Sequence, residues 1–366
     1  MPENLDLKFM SECFNLARKA EGETFPNPMA GAVLVKNNKI ISRGYHKKAG
    51  LPHAESEAIN NAGKDAKGSI LYVNLEPCSS YGKTPPCVDA IIKSGIKKVI
   101  VAVKDPNPKH NGRGLKILSR HGIKVKCGVM EEQACELNKV FFKNITERVP
   151  YVTLKAACSL DGRLADFYGE SKWITDDDAR IFSHSRIRSN TDAILIGIKT
   201  LLKDNPLLSV RCSRIKTSNP VKVILDSSLK IPLSSNILKS PGRTIVVGSE
   251  KHSNRSKAEA LANKGVKLIF LPYRGGCFNI KHLLKVLYNQ GIYRLLVEGG
   301  GSVISSFIDA KAADYIYIFT ANIILGGGYL MYNGKGFRLD KPAKIINREV
   351  KIFNNSVLIS GGLSYV

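Results

Sequence analysis

Residues 53–87 read HAESEAINNAGKDAKGSILYVNLEPCSSYGKTPPC, and the fold turns on this stretch. It predicts a helix over 53–62 and a strand over 70–75, Ile-Leu-Tyr-Val-Asn-Leu. A second helix follows over 86–93, opened by Pro85-Pro86, since proline suits the first helical turn. A strand between two helices is the repeating unit of a sheet covered on both faces. The reactive residues stand at the ends of these elements. His53 and Glu55 open the first helix, Pro77-Cys78 follows the strand, and Cys87 starts the second helix.

Outward from there the alternation continues. Residues 5–20 carry Phe9, Cys13, Phe14, Leu16 and Ala17 at helical spacing, and 30–35 with 39–45 flank Asn37-Asn38 as a β-hairpin. A strand at 98–103, a helix at 113–121, a short strand at 123–127 and a helix at 131–144 complete the first half. Thr-Glu-Arg-Val-Pro at 146–150 breaks the pattern, because the residue before a proline leaves the helical region. Strands then follow at 151–157, 193–198, 221–225, 244–248, 267–271, 294–297 and 315–319. Helices at 176–187, 256–263, 280–289 and 302–310 separate them. The reading is two α/β domains, 1–147 and 148–366, each with a mostly parallel sheet.

The 366 residues are 43% hydrophobic and 23% charged, which excludes a largely disordered chain. No apolar run is long enough for a membrane span. The acidic start, Met1-Pro2-Glu3-Asn4-Leu5-Asp6, lacks the marks of a signal peptide, so a cytoplasmic protein with reduced thiols is expected. The net charge of +24 is spread over both halves with no block of like charge. It reads as solvated surface lysine rather than as a nucleic-acid footprint. Eight cysteines form no repeating framework.

His53, Cys78 and Cys87 are the residue types of a catalytic zinc site. Zn²⁺ takes imidazole and thiolates in a tetrahedron, and three protein ligands leave one position for water. The metal lowers the pKa of that water towards ~7. A carboxylate that is not a ligand must then move the proton, and Glu55 is placed for that task. The pattern His-x-Glu followed by Pro-Cys is the signature of zinc nucleobase deaminases. The spacing departs from that signature, since eight residues separate Cys78 from Cys87. Glu57 reads as a solvated helix position.

The first half resembles the bifunctional riboflavin-biosynthesis deaminase/reductase family. The resemblance rests on Pro26-Asn27-Pro28, Gly44-Tyr45-His46, His53-Ala54-Glu55, Leu75-Glu76-Pro77-Cys78 and Gly82-Lys83-Thr84-Pro85-Pro86-Cys87. Asp105-Pro106-Asn107-Pro108 and Gly112-Arg113-Gly114 extend it. It implies a cytidine-deaminase-like three-layer domain acting on a diaminopyrimidinone that carries ribose 5-phosphate, with one Zn²⁺ per chain. It also makes Asn27, His46 and Lys83 substrate contacts. Met29 stands where the family usually has valine, and Lys83 where arginine is common. Lysine keeps the charge but loses the bidentate fork.

No dinucleotide-binding G-x-G-x-x-G follows the first strand of either half. The strongest glycine cluster is Val297-Glu298-Gly299-Gly300-Gly301-Ser302-Val303, between a strand and a helix, where bare N–H groups suit a pyrophosphate. Gly326-Gly327-Gly328 reads as a loop. The resemblance continues through Lys155–Arg163, Gly169-Glu170-Ser171-Lys172-Trp173-Ile174, Asp192–Gly197 and Asp204-Asn205-Pro206. It implies a dihydrofolate-reductase-like domain using NADPH. Ala157, Trp173, Thr200, Asp204, Ser227 and the run Gly300, Gly301, Ser302, Val303, Ile304, Ser305 and Ser306 would contact the cofactor. Ser171, Arg188, Leu208, Arg211 and Glu298 would contact substrate, with Arg188 and Arg211 suited to a phosphate. Hydride would go to C1′ of the ribosylamino group, with Lys155 as the polarising cation.

The leading expectation is therefore a homo-oligomeric bifunctional enzyme for a small phosphorylated pyrimidine, with no nucleic-acid or membrane partner. The competing one is a nucleic-acid-editing zinc deaminase with a basic C-terminal binding module. Against it, the second half lacks RNP aromatics and a zinc knuckle.

Overall fold

The computed structural model describes residues 2–81, 85–210, 219–251 and 254–365. Lys83 and Arg211 lie outside the described residues. The chain divides into two compact units, Met1–Arg148 and Val149–Val366.

The first unit is built on five strands in the order Lys39–Tyr45, Gly31–Lys36, Ile70–Leu75, Lys98–Val103, Lys124–Cys127. Asn37 and Asn38 both take positive φ, 51° and 59°, as a tight two-residue hairpin turn requires. Gly31–Lys36 runs antiparallel to both its neighbours, and only the last three strands are parallel. The sheet is therefore mixed rather than mostly parallel. Its two faces are covered by different helices. Ala58, Ile91 and Leu118 pack on one side with Leu71 and Val101, while Phe9, Phe14 and Ala134 pack on the other with Tyr72 and Ile100. The single helix expected at 131–144 is two, Glu131–Leu137 and Lys139–Glu147. The break falls at Asn138, whose amide brackets Met29, accepting from its N–H at 2.8 Å and donating to its carbonyl at 2.9 Å.

The main sheet of the second unit has nine strands. Their order is Lys267–Leu271, Thr244–Ser249, Val221–Leu225, Ala193–Gly197, Arg294–Val297, Tyr151–Cys158, Tyr315–Ala321, Ser356–Tyr365, Ala343–Ile352. The first seven run parallel, as the apolar runs predict, and the last two are antiparallel. That C-terminal hairpin is not in the sequence pattern. Ala343–Ile352 is an edge strand whose mostly exposed side chains include Lys344, Arg348 and Lys351, so no apolar run marks it. Ser356–Tyr365 is interrupted by Gly361-Gly362, and a Cβ at Gly361 would come within 2.6 Å of the Ile346 carbonyl. The helix expected at 176–187 is α-helical over Asp177–Phe182 and continues as a wider turn over Ser183–Ile187. Among the described residues no helix is long and apolar enough to cross a membrane.

Candidate active sites

In the first unit, the end of Ile70–Leu75 and the starts of Ala54–Ala62 and Cys87–Lys93 bring three donors together. His53 Nδ1 lies 3.5 Å from Cys78 Sγ and 3.3 Å from Cys87 Sγ, and all three donor atoms fall within 4.8 Å of one another. A tetrahedral zinc with bonds of about 2.0 Å to nitrogen and 2.3 Å to sulfur sets its ligand atoms roughly 3.6 Å apart. The donor set fits the ion. No other trio of metal donors gathers among the described residues. The Cys87 N–H also donates to Cys78 Sγ at 3.2 Å. The Cys87 thiol, and then His53, pull Cys78 down to about 4, and Cys87 beside that thiolate is pushed up.

Glu55 lies in the first turn of the helix that His53 caps and is only 4% exposed. Burial pushes its carboxyl up to about 7, and the Cys78 sulfur adds to this. A buried carboxyl near neutrality can both take and give a proton. Glu57 is more than a solvated position: it accepts from Tyr45 N–H at 2.8 Å and pairs with Lys47 at 2.6 Å. Asn27 and His46 are gathered here as well. His46 Nδ1 meets the Pro52 carbonyl at 3.1 Å, so that nitrogen carries the proton, and Nε2 accepts from Asn27 Nδ2 at 3.1 Å. The His46 ring stands edge-on to His53 at 5.2 Å.

Glu76, in the Leu-Glu-Pro-Cys motif, has a role that the sequence pattern does not mark. Its buried carboxylate accepts from the N–H groups of Asp105 (3.1 Å), Gly112 (2.7 Å) and Gly114 (2.9 Å). Two residues before Cys78, it fastens the 105–114 loop to the strand end that carries Cys78. Gly114 is required there, since a Cβ would collide with the Pro77 carbonyl. An acidic residue beside Pro-Cys was the available signal.

The second unit holds a cavity of about 1000 Å³ at the C-terminal ends of its parallel strands. Ser171, Trp173, Thr200, Asp204, Leu208 and Ser227 line it, as do Lys155, Ala157, Arg188 and Glu298. The glycine loop contributes Gly299 through Val303, together with Ser306. Two expected contacts do not reach the wall. Ile304 packs in the core, and Ser305 is buried with its hydroxyl 3.0 Å from Asn333. A helix starting at Gly301 turns only part of each circuit to the cavity. Gly300 N–H donates to Thr200 Oγ1 at 3.2 Å, and a Cβ at Gly301 would collide with the Leu330 carbonyl.

Arg188 does not wait for a phosphate. Its Nε and Nη2 fork onto Glu298 at 2.8 and 2.5 Å, and its Nη1 donates to Ser209 O at 3.3 Å. Burial would raise Glu298, but the Arg188 charge overrides it and, with Lys155, holds the carboxyl at about 2. Lys155 sits against the Phe319 ring at 5.5 Å, and burial pushes its ammonium down while Glu298 partly restores it. The three form a cluster with one surplus positive charge. Trp173 is 66% exposed at the cavity mouth under the Arg180 guanidinium, 4.2 Å away.

Residues 3–103 match the model of the cytidine and deoxycytidylate deaminase zinc-binding region, and residues 150–358 match the RibD C-terminal domain. The chain belongs to the RibD family. The riboflavin biosynthesis protein RibD of Aquifex aeolicus is 44% identical over 360 residues, covering 98% of this chain and 99% of that one. The structure of Acinetobacter baumannii RibD superposes with a TM-score of 0.86 at 35% identity over 99% of both chains. A diaminohydroxyphosphoribosylaminopyrimidine deaminase/5-amino-6-(5-phosphoribosylamino)uracil reductase from Thermotoga maritima superposes with a TM-score of 0.81 at 36% identity over 100% of both. As a RibD-family enzyme the chain is a bifunctional deaminase and reductase of riboflavin biosynthesis. Its second half is a reductase domain, which replaces the reading of that half as a nucleic-acid-binding module.

Proposed function

We propose that His53, Cys78 and Cys87 hold one zinc ion per chain and that Glu55 is the proton carrier. The substrate is 2,5-diamino-6-ribosylamino-4(3H)-pyrimidinone 5′-phosphate, and the second unit reduces the deaminated product with NADPH. The observation that carries this is the donor triangle with a buried, non-ligating carboxyl two residues on from His53. Bound zinc supplies an activated water at neutral pH, and NADPH supplies the hydride. Glu55 takes a proton from the attacking water and gives it to the ring nitrogen, then takes the remaining hydroxyl proton as the carbonyl forms and gives it to the amine, which leaves as ammonia. Asn27, His46 and Lys83 hold the pyrimidine ribotide.

In the second unit the glycine loop, Ala157, Trp173, Thr200, Asp204 and Ser227 hold the dinucleotide. Ser171, Leu208, Arg211 and the Glu298–Arg188 pair place the sugar. Lys155 polarises C1′ as the ring opens to the ribityl chain. The free cysteines suit a reducing cytoplasm. Exposed Leu160, Phe167, Tyr168 and Ile324 suit a homo-oligomer.

The test follows ammonia and NADPH absorbance together, with the ribotide, with and without a zinc chelator. Both signals should appear with zinc and both should vanish when it is removed. NADPH oxidation that persists in the chelated protein without ammonia release would overturn the order of the two steps.

A further inference from the structure

We infer that Lys199, with Ser227, forms the subsite that reads the 2′-phosphate of the dinucleotide and so selects NADPH over NADH. This rests on the cofactor reading given above. The strand order gives the cavity a direction. Lys155 and Glu298 mark its reacting end, on Tyr151–Cys158 and just past Arg294–Val297. The glycine loop after Arg294–Val297 is the pyrophosphate position. The next strands outward are Ala193–Gly197 and then Val221–Leu225, with Gly197 paired to Leu225. Lys199 follows the first and Ser227 the second, and both line the cavity. Adjacent strands lie about 4.8 Å apart, so these two side chains border the adenosine ribose beyond the pyrophosphate.

Among the described residues, Lys199 is also the cation left over on this wall. Arg188 is committed to Glu298, Arg180 to Asp177 and Lys203 to Glu170. Lys155 stands at the other end of the cavity, and Lys172 acts on Asp204. Lys199 is exposed and makes no ion pair or hydrogen bond among the described residues. A second observation points the same way. A carboxylate at a strand end can take a ribose 2′-hydroxyl, whereas a cation accommodates a 2′-phosphate. The strand-end acid here, Asp226, is 0% exposed and turned inward, with Oδ2 accepting from Ile231 N–H at 2.8 Å. What the strand end offers the cavity is the Ser227 hydroxyl. The wall presents a free ammonium and a hydroxyl where a discriminating carboxylate would otherwise stand.

The experiment measures direct binding, with no turnover. Trp173 is the sole tryptophan and lines the same cavity, so its quenching reports the dissociation constants of NADPH and NADH on the full chain. Lys199→Ala should weaken NADPH by about 10- to 100-fold and leave NADH within about 2-fold, as expected for one charge-assisted contact. Lys199→Arg should recover most of the loss. Adenosine 2′,5′-bisphosphate should show the same loss and 5′-AMP none. Equal weakening of NADPH and NADH would move Lys199 to the pyrophosphate and overturn the subsite. A wild-type preference for NADPH that survives Lys199→Ala overturns the subsite alone. Wild-type protein that binds neither dinucleotide overturns the cofactor reading and the subsite together. Because Lys199 is exposed, an unchanged thermal melt shows that the variant is folded.

Discussion

The two sites solve the problem of assembling reactive groups in opposite ways. In the first unit, four groups come from one 35-residue stretch, residues 53–87, and sit at helix starts and a strand end. In the second, the cavity draws on side chains from Lys155 to Tyr329, delivered by the ends of parallel strands. The first site is dense in donors whose chemistry is nearly unique to metal binding. The second is mostly glycine, serine and aliphatic wall, with its charges scattered: the buried Arg188–Glu298 pair beside Lys155, and Lys172, Lys199, Lys203 and Asp204 elsewhere on the wall. A compact donor cluster concentrates function in a few atoms, so single substitutions should be severe. A distributed cavity spreads it, so most substitutions should be graded.

The largest effect expected is at the ligands. Cys87→Ala should empty the zinc site, measured by elemental analysis, and lower ammonia release by about 10⁴-fold or more. Dinucleotide binding in the second unit should be kept. Full zinc occupancy in that variant would break the assignment. Next comes Glu55→Gln, which should retain zinc and lower ammonia release by about 10²–10⁴-fold, the usual range for a lost proton carrier. Ammonia release near the wild-type rate would sink its role.

The same contrast decided what the sequence could show. His53, Cys78 and Cys87 were legible because zinc chemistry restricts the residue types, and the eight-residue excursion did not prevent convergence. The seven parallel strands of the second unit were legible as apolar runs, since a strand buried on both faces leaves that trace. The terminal hairpin left none, because an edge strand with exposed lysines has no buried face to advertise. Arg188 shows the limit at the site. Its residue type suited a phosphate, yet Glu298, 110 positions away in the chain, already fills its fork. Pairing of that kind is a property of topology. Ile304 and Ser305 failed for a related reason, because a run of consecutive residues on a helix cannot all face one cavity.

The Arg188–Glu298 pair gives the sharpest test of the distributed site. Its side chains are 15% and 9% exposed. Removing one partner from a buried pair typically costs about 3–5 kcal/mol, because the other charge is left uncompensated. Glu298→Gln should therefore lower the unfolding free energy of the second unit by that order and also impair NADPH oxidation. The pH dependence has a definite sign. The folded carboxyl titrates at about 2 against an ordinary value of 4.5, so its contribution is complete above about pH 5. It is lost as pH falls through 4.5 towards 2. Wild type should thus lose melting temperature faster than Glu298→Gln over that interval. Parallel curves would show that the pair does not stabilise the fold.

The mildest effect should come from Glu76, which touches no donor atom of the zinc site. Its carboxylate gathers three backbone N–H groups from a loop 29 to 38 residues further on. Glu76→Gln keeps the shape but offers one acceptor oxygen in place of two, so Gly114 N–H would face an amide donor. Leaving one buried donor unsatisfied costs about 1–3 kcal/mol. Zinc should stay, since all three ligands remain. The change should appear as faster amide exchange over 105–114 and a several-fold fall in ammonia release, with the NADPH dissociation constant unmoved. Exchange that quickens over the whole first unit would make Glu76 a general stabiliser. Exchange confined to the loop would identify it as the residue that holds one wall of the compact site in place.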